Sequence, residues 1–209
     1  ADASAQVLAT ADKHNVILWN SSNGRQLRKI TSGQTIRGMA LCNKASQLAI
    51  LLYDYGIVSA LYWYNTQTGA LTDSVSFKQT NAWGSSFPPM DALIGSGQND
   101  EVAVRSFSTL QLINLSTKQR SPAIELFSYD NQITYNPATQ RWQIAANRND
   151  QVELHYINDS YTKQLQTIYD RSEKPMALSF HASGKMALLL APNKLMIFND
   201  ADTTLQEVT

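Results

Sequence analysis

Two stretches of the chain, Leu18–Leu27 (LWNSSNGRQL) and Trp63–Leu71 (WYNTQTGAL), follow one pattern. Each has an apolar strand that ends in Asn, then a polar turn, a Gly and the start of a second strand. The short amide of the Asn can accept hydrogen bonds from backbone N–H groups two residues on, which closes an Asx-turn. The Gly takes a positive φ without steric cost. Both stretches are therefore predicted to be tight hairpins between antiparallel strands.

The strand-ending Asn recurs along the whole chain. The five copies are 45, 49, 44 and 41 residues apart and stand at Asn20, Asn65, Asn114, Asn158 and Asn199. Between them lie short apolar or alternating runs that predict nineteen strands. No window of a dozen residues has a 3.6-residue period free of turn formers, so the fold class is all-β.

Four short strands every 41–49 residues are typical of the blades of a β-propeller, which gain buried area by stacking. We expect one propeller domain over residues 1–209, with blades of four antiparallel strands. The blades are predicted at approximately residues 6–30, 36–77, 90–127, 132–168 and 176–208. The first blade lacks its first strand. The alternatives are a five-bladed ring with one three-stranded blade, or part of a larger, seven-bladed ring whose exposed blade faces would self-associate.

Three strand ends and two turns resemble the WD-repeat family of propellers. In that family the third strand of a blade ends in Trp-Asp; here Trp19-Asn20 and Tyr64-Asn65 stand in the equivalent place, with Phe198-Asn199-Asp200 as a looser copy. The turns Tyr135–Thr139 and Phe180–Lys185 resemble the family's turn between the first two strands. The chain has no Gly-His dipeptide and no Trp-Asp. The resemblance implies a propeller that acts as a scaffold for other proteins.

Charge and composition exclude several other classes of function. The chain has 17 basic and 17 acidic residues, so it lacks the positive field expected of a nucleic-acid binder. The longest apolar runs, Leu48–Tyr53 and Met186–Ala191, are far shorter than the ~18 residues of a membrane span. A single cysteine, Cys42, allows no intrachain disulfide and no thiolate metal cluster.

Binding residues are expected on the loops of one propeller face, between the second and third strands and between blades. The longest such loop, 78–90, carries two large aromatic side chains of the kind that anchor protein interfaces. Shorter loops add two Tyr, an Arg and a His. The candidate partner-binding residues are Trp83, Phe87, Tyr53, Tyr55, Arg148 and His14. For the two loop aromatics, packing against the propeller itself is the alternative.

The sequence contains no catalytic motif. No two of its histidines are four residues apart, and neither a calcium loop nor a glycine-rich phosphate loop is present. We therefore expect no cofactor and no catalytic residue. The alternative is a lactonase-like or quinoprotein-like enzyme, or a small-ligand binder, with a site at the central channel. Its candidate residues on the loops between second and third strands are Asp54, Arg105, Asn147 and Asp150.

These observations favour a non-enzymatic scaffold that binds partner proteins through loops on one face or completes a larger assembly. Nucleic acid and membrane spans are not expected among its contacts. The start of the chain, Ala1–Ala5 (ADASA), resembles the mature side of a signal-peptidase cut, which favours a bacterial periplasm, with the cytoplasm next.

Overall fold

A computed structural model gives the fold of residues 6–54, 58–78, 92–97, 99–106, 109–126, 131–148, 151–157, 163–169, 174–181, 183–192, 194–199 and 202–208. Within those ranges the chain is built from strands and turns and contains no helix. It forms two compact units, residues 1–123 and 124–209. The predicted all-β class is confirmed.

The first unit opens with a three-stranded sheet and a four-stranded sheet. Sheet 1 contains β1 (Val7–Ala11), β2 (Asn15–Asn20) and β3 (Gln26–Thr31). Sheet 2 contains β4 (Thr35–Cys42), β5 (Gln47–Asp54), β6 (Val58–Asn65) and β7 (Leu71–Lys78). Neighbouring strands pair antiparallel in chain order. Sheet 1 thus has three strands among the described residues, as the sequence predicts.

Sheet 3 contains β8 (Ala92–Gly95), β9 (Glu101–Arg105), β10 (Thr109–Asn114) and β11 (Ile124–Glu125). The predicted fourth strand, 123–127, is cut to two residues. Pro122, two residues before β11, has no N–H, so no ladder hydrogen bond can be donated at that position.

The second unit holds two further antiparallel sheets. Sheet 4 contains β12 (Gln132–Asn136), β13 (Arg141–Arg148), β14 (Gln151–Ile157) and β15 (Lys163–Tyr169). Sheet 5 contains β16 (Pro175–Phe180), β17 (Met186–Leu190), β18 (Lys194–Asn199) and β19 (Asp202–Val208). None of the five sheets is closed on itself. The described residues thus contain the nineteen predicted strands; their arrangement as one propeller stays a prediction.

Stacking of the sheets explains why their strands are so apolar. In β5, the run Leu48–Leu52 is buried at every position, because alternate side chains face opposite neighbours. One set packs with sheet 1 and the other with sheet 3. In the second unit, sheets 4 and 5 enclose a corresponding cluster. Trp63 and Trp142 are buried core residues.

The first strands of neighbouring sheets lie against each other, β4 beside β8 in the first unit and β12 beside β16 in the second. Glycine makes the first of these contacts possible. A Cβ built on Gly95 of β8 would lie 2.8 Å from both the Ala40 Cβ and the Leu41 carbonyl oxygen, and one built on Gly38 would lie 3.0 Å from the Leu93 Cβ. The two strands approach too closely for larger residues at these positions.

The Asn-ended turns form as predicted wherever their side chains are described. Asn65 Oδ1 accepts from the backbone N–H groups of Gln67 and Thr68, both at 2.9 Å. Asn20 and Asn114 accept from the equivalent groups. The Gly four residues after the Asn has φ +69° at Gly24 and +73° at Gly69. The predicted Asx-turn geometry is thus confirmed for three copies; Asn158 and the side chain of Asn199 lie outside the described part.

Candidate functional site

In the first unit, loops of sheets 1 and 2 meet at one end of the stack. The backbone N–H of Ser32 donates to the His14 carbonyl (2.8 Å), and that of Ile36 donates to the Lys13 carbonyl (2.9 Å). Thr35, at the start of β4, pairs with Tyr53, near the end of β5. We call this end the loop edge and define it by residues 12–14, 32–37 and 53. The predicted candidates His14 and Tyr53 both belong to it.

The turn that carries His14 is held by one carboxylate. Asp12 Oδ1 accepts from the backbone N–H groups of His14 and Asn15, both at 2.7 Å, and the Asn15 amide nitrogen lies 3.0 and 2.9 Å from the two Asp12 carboxylate oxygens. These hydrogen bonds, above all that from His14, lower the pKa of Asp12. The His14 side chain is exposed, and its Nδ1 lies 3.3 Å from the Gln34 carbonyl oxygen. The loop is thus a fixed turn that presents an imidazole to solvent.

Tyr53 is covered by an arginine that the sequence did not single out. The Arg37 guanidinium carbon lies 4.8 Å from the centroid of the Tyr53 ring, a cation–π contact. The pairing of β4 with β5 shifts register between Ile36 and Gly38, so Arg37 is the extra residue of a β-bulge. Bulges change the direction of a side chain. Here the bulge brings an exposed arginine over a half-buried tyrosine.

Other predicted contact residues remain untested. Trp83, Phe87 and Tyr55 lie outside the described residues. Arg148 is the last residue of β13, and its backbone alone is described. These four residues stay predictions.

The residues proposed for a catalytic alternative are also only partly described. Arg105 ends β9 and is half-buried, whereas Asp54 and Asn147 are described by their backbone alone. Asp150 lies outside the described residues. The described residues therefore do not test the enzymatic alternative to the predicted scaffold.

Two other groups with reactive potential, the Cys42 thiol and the His155 imidazole, are buried. Cys42 has no exposed surface, and its burial raises the pKa of the thiol to about 12. His155 Nε2 lies 3.2 Å from Glu153 Oε2 on β14, with both side chains buried. Among the described residues, no group of three or more His, Cys, Asp or Glu side chains is placed to hold a metal ion. Among the exposed groups with defined geometry, those of the loop edge bring together the predicted candidates His14 and Tyr53. His181 is also exposed, and its Nδ1 lies 2.8 Å from Ser183 Oγ in its own turn.

Comparison with known proteins adds no assignment. The sequence matches no protein-family model, and a comparison with curated proteins gives no match. In the part of the chain that the structure describes, no helix has both the length and the apolar character needed to cross a membrane.

Proposed function

We propose that this protein is a non-enzymatic scaffold of the WD-repeat-like propeller type that binds a partner protein through its loop edge. The observation that carries the proposal is the Arg37–Tyr53 pair, fixed at an end of two stacked sheets beside the exposed His14. Tyrosine and arginine are enriched among the residues that dominate binding energy at protein interfaces.

Rigid support strengthens the proposal. Tyr53 is carried by β5, whose preceding residues Leu48–Leu52 are buried on both faces. Loop 12–14 is held by Asp12 and by two backbone hydrogen bonds to the segment 32–36. Because these side chains stand on an ordered framework, they lose little conformational entropy when a partner binds.

The test compares variants at the two ends of the same sheets. Tyr53→Ala and Arg37→Ala remove the aromatic ring and the cation. The matched control is Lys44→Ala, which changes an exposed side chain in the turn between β4 and β5 at the other end. Partners are captured from the native host with tagged protein, and the leading one is purified and titrated by calorimetry. We expect the loop-edge variants to lower its affinity at least tenfold while Lys44→Ala leaves it unchanged.

Two further comparisons separate outcomes. Circular dichroism and thermal unfolding must show that the variants fold like the wild type. Trp83→Ala examines the predicted loop 78–90 independently. If Trp83→Ala abolishes binding while Tyr53→Ala and Arg37→Ala leave it intact, the partner binds loop 78–90 and not the loop edge. Binding that none of the three changes would refute the proposed surface.

A further inference from the structure

Sheet 1 lacks, within the described residues, a strand that each of the other four sheets has. β2 ends in the Asx-turn of Asn20, as β6 ends in that of Asn65. By position β1 therefore matches β5, the second strand of its sheet. The place that corresponds to β4 lies along the outer edge of β1, and the described residues put no strand there.

The pairing of β1 with β2 identifies the backbone groups at that outer edge. Ser21 N–H donates to the Gln6 carbonyl and Asp12 N–H donates to the Asn15 carbonyl, both at 2.9 Å. In an antiparallel ladder, hydrogen-bonded pairs alternate with non-bonded pairs. Leu8 and Thr10 therefore use their N–H and C=O groups toward β2. The same groups of Val7, Ala9 and Ala11 point away from β2.

β1 itself lacks three of the features that usually protect a sheet edge, namely charged residues, proline and a β-bulge. Its five residues, VLATA, include no charge and no proline, and its register with β2 has no bulge. The opposite edge strand, β3, carries Arg28 and Lys29, and its pairing with β2 contains a bulge. Charges and bulges discourage a further strand from pairing with an edge. Nothing in β1 itself, and no strand among the described residues, prevents such pairing.

Beside this edge lies an apolar surface on β4. Ile36, Met39 and Leu41 are half-buried and pack at the border of the cluster that sheets 1 and 2 share. Val7 and Ala9 of β1 pack against the same cluster. A strand added to β1 in the position that β4 occupies in sheet 2 would lie over these three side chains. Its alternate residues would bury the apolar surface they still expose.

We propose that the outer edge of β1 binds an extended, uncharged segment of a partner protein as the fourth strand of sheet 1. About five residues match the length of β1. The segment exchanges backbone hydrogen bonds with Val7, Ala9 and Ala11, and its alternate apolar side chains lie on Ile36, Met39 and Leu41. Addition of a strand to a free sheet edge is a recurrent mode of peptide recognition, in which the main chain gives affinity and side-chain pockets give specificity. The proposal deepens the scaffold function by naming a second contact and the chemistry of its ligand.

The probe is a synthetic peptide with the sequence of residues 176–180, MALSF, an uncharged part of the first strand of sheet 5 that matches β1 in length. Its control is the same peptide with an N-methyl group on every peptide nitrogen, so that neither edge of the peptide can donate to a ladder. Hydrogen exchange is followed by NMR on the wild-type chain. In the free protein, the amides of Val7, Ala9 and Ala11 should exchange quickly and those of Leu8 and Thr10 slowly. Saturating peptide should slow the first three at least tenfold, and the methylated peptide should not.

A variant separates pairing from stability. Ala9→Pro removes an N–H that points away from β2, so the ladder inside sheet 1 is expected to persist while peptide affinity falls at least tenfold. Leu8→Gln, on a residue whose backbone serves β2, is the matched control and should bind like the wild type. Should Ala9→Pro destabilise the fold, the methylated peptide still decides the question on the unaltered protein.

Three results would overturn the inference. They are slow exchange of Val7, Ala9 and Ala11 in the free protein, equal protection by the methylated peptide, or concentration-dependent protection without peptide, which would assign the edge to a second copy of this chain. None of these results involves Tyr53 or Arg37. The proposal of a strand-binding site and the proposal of a loop-edge contact can therefore be refuted independently.

Discussion

Replacing Gly95 with alanine is expected to weaken the packing of β8 against β4. The new methyl group would lie 2.8 Å from the Ala40 Cβ, 2.8 Å from the Leu41 carbonyl oxygen and 3.4 Å from the Cys42 Sγ. Because two of these three atoms belong to the backbone or are bonded directly to it, the clash cannot be relieved by rotating a side chain. One of the two strands must move.

The size of the effect follows from two opposing terms. Overpacking a well-filled core costs about 1–3 kcal/mol, while replacing glycine in a strand returns about 0.5–1 kcal/mol of backbone entropy. We therefore expect Gly95→Ala to lower the free energy of unfolding by about 1–2 kcal/mol. Gly38→Ala, whose nearest contact is 3.0 Å from the Leu93 Cβ, should have a smaller effect. Gly33→Ala meets nothing within 4 Å and should be neutral or stabilising by up to about 1 kcal/mol.

The assay is urea unfolding of the three variants and the wild type, with hydrogen exchange at β4 and β8 to locate the change. A second-site variant provides a further check. Ala40→Gly removes one of the two closest atoms, so Gly95→Ala should lower the free energy of unfolding less in the Ala40→Gly background than in the wild type. If the free energies of unfolding of Gly95→Ala and Gly33→Ala differ by less than about 0.5 kcal/mol, β4 and β8 do not approach each other as closely as described.

Three further predictions concern a turn, a buried amide and a buried thiol. Asn65→Ala should destabilise the chain by about 1 kcal/mol, whereas Asn65→Asp, which keeps the acceptor for two N–H groups, should stay within about 0.5 kcal/mol of the wild type in urea unfolding. Gln143→Met should raise stability by about 1–3 kcal/mol, because both polar atoms of this fully buried amide lack a hydrogen-bond partner in the described structure; a loss would contradict that picture. The pKa of Cys42 is raised to about 12 in the folded chain, whereas a thiol in the unfolded chain has a pKa of about 8.5. The free energy of unfolding should therefore not depend on this thiol below about pH 8.5, and should fall by about 1.4 kcal/mol per pH unit above it. Unfolding at pH 7.5 and 9.5 should show this extra decline in the wild type and not in Cys42→Ala.

The parts of the fold that depend on local chemistry were predictable from sequence. An Asn at a strand end and a Gly four residues later specify a turn by themselves, which is why Asn20 and Asn65 sit in the predicted geometry. Burial of Trp63 was equally predictable, since a large apolar residue in an apolar strand has few alternatives.

Features that depend on contacts between strands were not predictable in this way. Arg37 reaches Tyr53 because a bulge interrupts the register between Ile36 and Gly38, and nothing local in the sequence marks the bulge except the glycine itself. An arginine two residues after the start of a strand that pairs with Tyr53 is the signal that was available. The role of Gly95 is likewise visible only once β8 lies on β4.

The third Asn-ended turn shows how contacts between sheets can take over from local turn chemistry. Lys118 stands where the first two copies have glycine and has φ +60°, a conformation that costs a non-glycine residue about 1–2 kcal/mol. Its ammonium group pairs with Asp73 on β7, which lowers the pKa of that carboxyl. Water screens such an exposed ion pair, so it does not offset the strain by itself.

A second residue of the same turn supplies the additional contacts. Arg120 Nη2 donates to the Ser76 carbonyl at 3.0 Å, and the guanidinium lies 5.1 Å from the Phe77 ring centroid, both on β7. The second copy makes a related contact, since Arg28 Nε on β3 donates to the Gln67 carbonyl at 2.7 Å. In both places the turn that closes one hairpin also binds the outer strand of the preceding sheet. In the first unit the repeated turn therefore contributes to the packing of neighbouring sheets as well as to the end of a strand.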